Sequence, residues 1–172
     1  MTETSHQCGD MDAMRALAPQ HRQLAAFAGR YKAVVQMWMG PGEPMRMTGV
    51  MVNDLDLGGR YLRQTYTGDP FPGHDERFEG RGYWGFNTID QRFEGFWIDT
   101  ASTFFQLERG QVDPSGKVWT MIGEMTNPGT GEPMRKRSVI TLKDANHHSI
   151  EMFFEGPNGS WNKSMQIEYS RA

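Results

Sequence analysis

The chain has 172 residues with 20 glycines and 9 prolines, so one domain of many short strands and turns is favoured over a helical bundle. Its net charge is −3 and its basic residues are scattered singly, which argues against a nucleic-acid partner. The single cysteine, Cys8, excludes an intramolecular disulfide.

The chain begins with a polar stretch. Residues 1–18 are predicted to be a flexible leader and residues 19–172 a single domain. The first fourteen residues lack the apolar run of a signal peptide, and no stretch approaches the roughly 18 apolar residues of a membrane span. We therefore expect a soluble, cytoplasmic protein without a membrane span.

One short helix is predicted next, over Gln20 to Phe27. This run is rich in helix formers, Pro19 precedes its first turn, and Gly29 stands where the helix would stop. Leu24 and Phe27 provide an apolar side, which we expect to plug one end of a β structure.

Turn-forming residues then recur at intervals close to those of sandwiches and barrels. The predicted turns are 40–42, 53–58, 68–73, 87–90, 99–101, 113–116, 127–131, 144–146 and 156–159. Nine turns imply ten strands, and no connection is long enough for a parallel crossover. The prediction is an all-β fold, a ten-stranded antiparallel up-and-down barrel like those of lipocalins and fatty-acid-binding proteins. A barrel wider than about eight strands is expected to enclose a cavity.

The first two strands each have one soft, apolar face. Tyr31, Ala33, Val35 and Met37 alternate with more polar neighbours, and the odd-numbered residues of 45–51 are methionines and a glycine. From Val118 onward both faces carry apolar residues, so the pattern assigns no inner face to the later strands.

Several ordered motifs resemble a known family. They are Gly58-Gly59-Arg60-Tyr61-Leu62, Phe78-Glu79-Gly80 with Gly82 and Gly85, Trp97-Ile98-Asp99-Thr100, Gly123-Glu124-Met125 with Asn127-Pro128 and Thr130-Gly131, and Arg137-Ser138-Val139. From about His21 to Arg171 the chain is similar to a bacterial calycin-like family of unknown function, whose members are lipocalin-like β-barrels. That family pattern has Tyr-Asp-Asn where this chain has Phe86-Asn87-Thr88, so no role is assigned to an acid there.

Ionisable residues within apolar strands are one functional lead, because burying an unpaired charge costs several kcal/mol. Glu79, Glu124 and Arg137 are the candidates. The alternative for Glu124 and Arg137 is a cross-strand surface pair, which would contribute about 0.2–1 kcal/mol.

Polar and aromatic residues complete the predicted ligand site. Gln64 and Tyr66 could hydrogen-bond a polar head group, with Trp97 across the barrel as a stacking wall. Trp84 and Trp97 are expected to pack in the barrel wall, where their rings could also contact a ligand. No cofactor follows from these residues.

The leading hypothesis is a protein that binds a small lipophilic or amphipathic molecule inside the barrel. One alternative is an enzyme with Glu79 or Glu124 as an interior general acid or base. Another is an interaction module that forms a homodimer through Trp38 or Trp119.

Two further alternatives involve metals. A haem-binding barrel could use His21, His74 or His148 as ligand. Copper(I) could bind sulfur ligands near His6 and Cys8, but methionine is also an adaptable filler of apolar cavities, so no metal site is predicted.

Overall fold

The structure is a computed structural model that describes residues 11–12, 14–71 and 73–172. Most of the predicted leader, including His6 and Cys8, lies outside the described residues. The α-helix α1 (Pro19–Leu24) continues into a 3₁₀ turn, Ala25–Phe27, and together they match the predicted helix. The ten strands are β1 (Gly29–Met37), β2 (Met45–Asp56), β3 (Tyr61–Pro70), β4 (Arg77–Asn87), β5 (Arg92–Asp99), β6 (Gln106–Val112), β7 (Val118–Thr126), β8 (Pro133–Leu142), β9 (His147–Glu155) and β10 (Trp161–Arg171).

The ten strands form one closed antiparallel barrel. Each strand pairs with the next along the chain, and β1 pairs with β10 from Tyr31↔Arg171 to Met37↔Met165. Closure removes both sheet edges, which would otherwise leave backbone N–H and C=O groups unpaired. The predicted ten-stranded up-and-down barrel with one short N-terminal helix is confirmed.

The turn between β2 and β3 comes later than predicted. β2 continues to Asp56, and the chain then reverses through Leu57, Gly58 and Gly59, whose φ angles are 47°, 69° and 83°. Glycine adopts this left-handed region without steric cost, so the Gly-Gly pair, rather than Asn53, marks the reversal.

The helix closes one end of the barrel. Leu24 and Phe27 are almost fully buried against a cluster that includes Phe93 and Trp119. The buried Asn53 side chain donates from Nδ2 to the Phe27 carbonyl oxygen at 2.9 Å. The apolar side of the helix therefore plugs the barrel, as its sequence indicates.

The burial of Trp119 corrects one expectation. Its side chain is 1% exposed and lies edge-on to Phe27 with ring centroids 5.0 Å apart. It belongs to the plugged core, so the hypothesis of a dimer contact through Trp119 is wrong. Trp38 is half-buried just beyond the end of β1.

Within the described part of the chain, none of the helices has the length and apolar character needed to cross a bilayer.

Candidate functional site

An internal cavity of about 230 Å³ lies beyond the plugged core, in the other half of the barrel. Its wall is drawn mostly from the inward-facing residues of the strands. The lining residues are Val35, Met37, Met47, Met51, Gln64, Tyr66, Asp69, Phe71, Phe78, Trp84, Gly95, Phe96, Trp97, Asp99, Ala101, Gln106, Glu108, Lys136, Ser138, Ile140, Ile150, Met152, Met165, Ile167 and Tyr169.

Most of this wall is apolar, with five methionines and several aromatic rings. The soft faces predicted for β1 and β2 point inward, since Val35 and Met51 are both buried and line the cavity. Methionine is flexible and polarizable, so a wall rich in it adapts to irregular apolar shapes.

Trp97 forms part of the wall by lying over two glycines of β4. A Cβ atom added to Gly80 would stand 2.0 Å from Trp97 Cζ2, and one added to Gly82 would stand 2.8 Å from Trp97 Cε3. The repeated glycines of this strand therefore provide the space that the indole ring occupies. Close approach, and not strand curvature alone, accounts for them.

One side of the cavity carries a connected group of polar side chains from β6 and β8. Lys136 Nζ lies 3.2 Å from Glu108 Oε1 and donates to Gln106 Oε1 at 2.9 Å. Ser138 Oγ donates to the same Glu108 oxygen at 2.6 Å. The Lys136 and Glu108 side chains are only 6% and 13% exposed, so this is an interior ion pair held by further hydrogen bonds.

Asp99 extends this group toward Trp97. Its Oδ2 accepts from Trp97 Nε1 at 3.0 Å and from Gln106 Nε2 at 3.1 Å. Its Oδ1 accepts from the backbone N–H of Ala101 and from Ser102 Oγ. We call Trp97, Asp99, Gln106, Glu108, Lys136 and Ser138 the polar wall.

A glycine on β7 lets the polar wall form. Gly123 lies directly opposite Lys136 in the β7–β8 register, and an added Cβ would stand 3.2 Å from Glu108 Cγ. Because Gly123 has no side chain, residues of β6 reach across β7 to β8.

Gln64 and Tyr66 lie on β3, where they face the same cavity. Each is at most 8% exposed. Burial, with a smaller effect of Asp69, raises the pKa of Tyr66 to about 12, so its hydroxyl keeps its proton at neutral pH. The pair offers an amide and a phenol to a bound molecule.

The structure brings together four of the seven predicted site residues, Gln64, Tyr66, Trp84 and Trp97, on the cavity wall. Trp97 is not across the barrel from Gln64. Each of them pairs with Gly82 of the intervening strand, so they are near neighbours.

The other three predicted residues do not line the cavity. Glu79 is exposed and pairs with Arg81 at 3.2 Å on the outer face. Glu124 is exposed as well. The expectation that these two carboxylates lie in the interior is wrong, because each stands on the outward-facing parity of its strand.

Arg137 also faces outward, between the inward-facing Lys136 and Ser138. Its guanidinium lies 4.7 Å and 4.6 Å from the ring centroids of Phe153 and Trp161. The alternative surface pair with Glu124 does not form, since the register sets Glu124 opposite Arg135 and Arg137 opposite Ile122.

None of the three candidate haem-ligating histidines is on the cavity wall. His21 Nδ1 is hydrogen-bonded at the start of α1, and His74 is exposed. His148 is buried and stacked on Tyr169 at 4.4 Å. Among the described residues, no group of three or more His, Cys, Asp or Glu side chains is placed to hold a metal ion.

Sequence reasoning missed five members of the polar wall: Asp99, Gln106, Glu108, Lys136 and Ser138. Lys136 and Ser138 share one face of β8 with the apolar Ile140, because the three stand at every second position. That spacing is the signal that could have identified Lys136 and Ser138 as interior residues. Arg137 was predicted as an ionisable residue within an apolar strand, but Lys136 beside it fits the same description, and the sequence of β8 does not show which of the two points inward.

Residues 17–171 match a family model described as "Protein of unknown function (DUF1579)". No curated protein matches the chain. The crystal structure of Rv2717c from M. tuberculosis is similar, with 14% identity, a TM-score of 0.62 and coverage of 91% of this chain and 99% of that one. The S-type phycobiliprotein lyase CPES from Guillardia theta is also similar, with 8% identity, a TM-score of 0.59 and coverage of 96% and 98%. Both likenesses show the fold, and the calycin-like barrel expected from the motifs is confirmed.

Proposed function

We propose that this chain, which belongs to the DUF1579 family of proteins of unknown function, binds a small amphipathic molecule inside its barrel. The single observation that carries the proposal is a cavity of about 230 Å³ with an apolar wall and one polar side. Ligand sites in proteins commonly combine a largely apolar lining with a few placed polar groups.

The apolar part of the wall would hold the lipophilic part of the ligand. Trp84 and Trp97 present aromatic surface, and the methionines of β1 and β2 adapt to its outline. Removing such a surface from water stabilises the complex by roughly 25 cal/mol per Å² before the costs of association.

The polar wall would orient the ligand's polar group. Its members already hydrogen-bond one another, so their side chains are held in place before a ligand arrives. Fixed polar groups lose little conformational entropy on binding and favour one orientation of the ligand.

The enzyme alternative required Glu79 or Glu124 inside the barrel. Both carboxylates lie outside it, so neither can act as an interior general acid or base. The haem alternative loses support in the same way, because none of its three histidines lines the cavity.

The test compares two tryptophan substitutions at neighbouring positions of β1. Val35 is buried and lines the cavity, whereas Val34 is 45% exposed on the outer face. Binding of N-phenyl-1-naphthylamine, a neutral fluorescent probe, is measured by titration with the unchanged protein, Val35→Trp and Val34→Trp. We expect binding to the unchanged protein and to Val34→Trp, and at least a tenfold loss for Val35→Trp, because the indole occupies the cavity.

Equal binding to both variants would place the probe outside the barrel and contradict the proposal, as would no binding to the unchanged protein. Thermal unfolding shows whether each variant is folded. If Val35→Trp is not, Met47→Trp fills the same cavity from β2 and makes the same comparison.

A further inference from the structure

The charged side chains of the cavity wall are unevenly balanced. Three carboxylates, Asp69, Asp99 and Glu108, and one ammonium group, that of Lys136, line it. Asp69 is held by the backbone N–H and hydroxyl of Thr48. This excess of negative charge on the wall disfavours a ligand that brings another negative charge into the barrel.

Lys136 is the cation that an anionic ligand would need, and it is already engaged. It pairs with Glu108 and donates to Gln106, and its side chain is 6% exposed. A carboxylate ligand that took Lys136 would leave Glu108 without its counter-charge in the interior. Breaking a buried ion pair in this way is strongly unfavourable.

The polar wall instead has an unused acceptor. Both oxygens of Asp99 already accept two hydrogen bonds each. Glu108 Oε1 accepts from Ser138 and lies beside Lys136 Nζ, but no described residue donates to Glu108 Oε2. An ionised carboxylate accepts hydrogen bonds at both oxygens, so Glu108 can accept one from a ligand.

A second unpartnered polar group lies in the same cavity. The Gln64 amide is on its wall, its residue is 8% exposed, and no described residue hydrogen-bonds to it. An added Cβ on Gly82 would be 3.4 Å from Gln64 Oε1 and 2.8 Å from Trp97 Cε3, so this amide lies close to the end of the polar wall. This amide therefore faces the cavity with its donor and acceptor groups available to a polar group of a ligand.

From this juxtaposition of an engaged Lys136, a free Glu108 oxygen and an unpartnered Gln64 amide, we infer that the ligand carries a hydrogen-bond-donating head group, an alcohol or an amine, and not a carboxylate. The inference rests on the proposed function and narrows its ligand class.

The test uses three compounds with one tail. Octan-1-ol, octylamine and octanoate are each titrated at pH 7 into the protein loaded with N-phenyl-1-naphthylamine, and displacement is followed by fluorescence. We expect the alcohol and the amine to bind at least about tenfold more tightly than octanoate, which corresponds to about 1.4 kcal/mol. Octanoate binding as tightly as the alcohol and the amine, or more tightly, would overturn the inference.

This outcome is distinct from failure of the proposed function. If the probe does not bind, or binds equally to Val35→Trp and Val34→Trp, the cavity is not a ligand site. If the probe binds inside the barrel and octanoate displaces it best, only the inference about the head group fails.

A matched pair of substitutions assigns the discrimination to Glu108. Glu108→Gln removes one interior negative charge, and Glu124→Gln removes one from the exposed outer face. We expect Glu108→Gln to raise octanoate affinity relative to octylamine by about tenfold and Glu124→Gln to leave the ratio unchanged. An equal change in both variants, or none in either, would contradict the assignment. If Glu108→Gln does not fold, Glu108→Asp keeps the charge but withdraws the free oxygen. It should weaken octylamine binding more than Glu124→Asp does, and equal effects of the two substitutions would contradict the assignment.

Discussion

At the scale of single residues, the site depends on where side chains are absent as much as on where they are present. Gly80 and Gly82 leave the space that Trp97 fills, and Gly123 lets Glu108 reach β8. Trp97 in turn donates to Asp99. A change at one of these glycines therefore acts on the cavity through its neighbour.

We predict that Gly80→Ala displaces Trp97, because the new methyl group would stand 2.0 Å from Trp97 Cζ2. Overpacking of this kind costs about 1–3 kcal/mol of folding free energy, and a displaced indole weakens probe binding. Chemical denaturation and the fluorescence titration measure the two effects. Gly40→Ala is the control, because an added Cβ there meets no atom within 4 Å; equal effects of the two substitutions would contradict the role of Gly80.

His148 is buried, and the centroid of its ring lies 4.6 Å from that of Tyr31 and 4.4 Å from that of Tyr169. Burial lowers its pKa to about 4, the positive charge of Arg171 acts in the same direction, and the negative charge of Glu168 opposes it. An unfolded histidine has a pKa of about 6.5. Between these two values the unfolded chain binds more protons than the folded protein.

We therefore predict that the contribution of neutral His148 to stability is complete above about pH 6.5 and is lost as the pH falls toward 4. The lowered pKa corresponds to about 3 kcal/mol. Denaturant unfolding at a series of pH values measures it, with His148→Phe as the variant that lacks the titrating ring. The variant should lose less stability over this interval, and the substitution His74→Gln, at an exposed histidine, should behave like the unchanged protein. Parallel curves for all three would contradict the prediction.

At the scale of elements, the short helix and its 3₁₀ turn act as a plug. Leu24 is fully buried, and the Phe27 carbonyl is held by Asn53. A helix of six residues is too short to be stable alone, so its packing into the barrel end is what maintains it.

We predict that Leu24→Ala lowers the free energy of unfolding by about 2–5 kcal/mol, the range for large-to-small changes in a core. Leu17→Ala is the matched control, because Leu17 is 50% exposed, and its effect should stay within about 0.5 kcal/mol. Chemical denaturation measures both. Equal, small losses would show that the helix does not contribute to the core.

The elements differ in how much of them the sequence determines. Turn residues predicted the number of strands, and the soft apolar faces of β1 and β2 are the faces that line the cavity. On β7 and β8 the alternation is mixed, because an interior ion pair places Lys136 beside the outward-facing Arg137. Lys136 points inward because it pairs with Glu108 on another strand. The sequence of β8 alone contains no information about that contact.

At the scale of the whole molecule, closure between β1 and β10 creates an enclosed space. The helix and the core around Trp119 fill one half of it, and the cavity occupies the other. A barrel of ten strands is wide enough for both. The proposed function follows from this division into a solid half and a hollow half.

A crystal structure of the protein with N-phenyl-1-naphthylamine would show most directly whether the barrel interior binds a ligand. We expect probe density inside the barrel, against Trp97 and the methionines of β1 and β2, with the polar wall intact. Density for the probe only on the outer surface, or a barrel whose interior is filled by its own side chains, would contradict it.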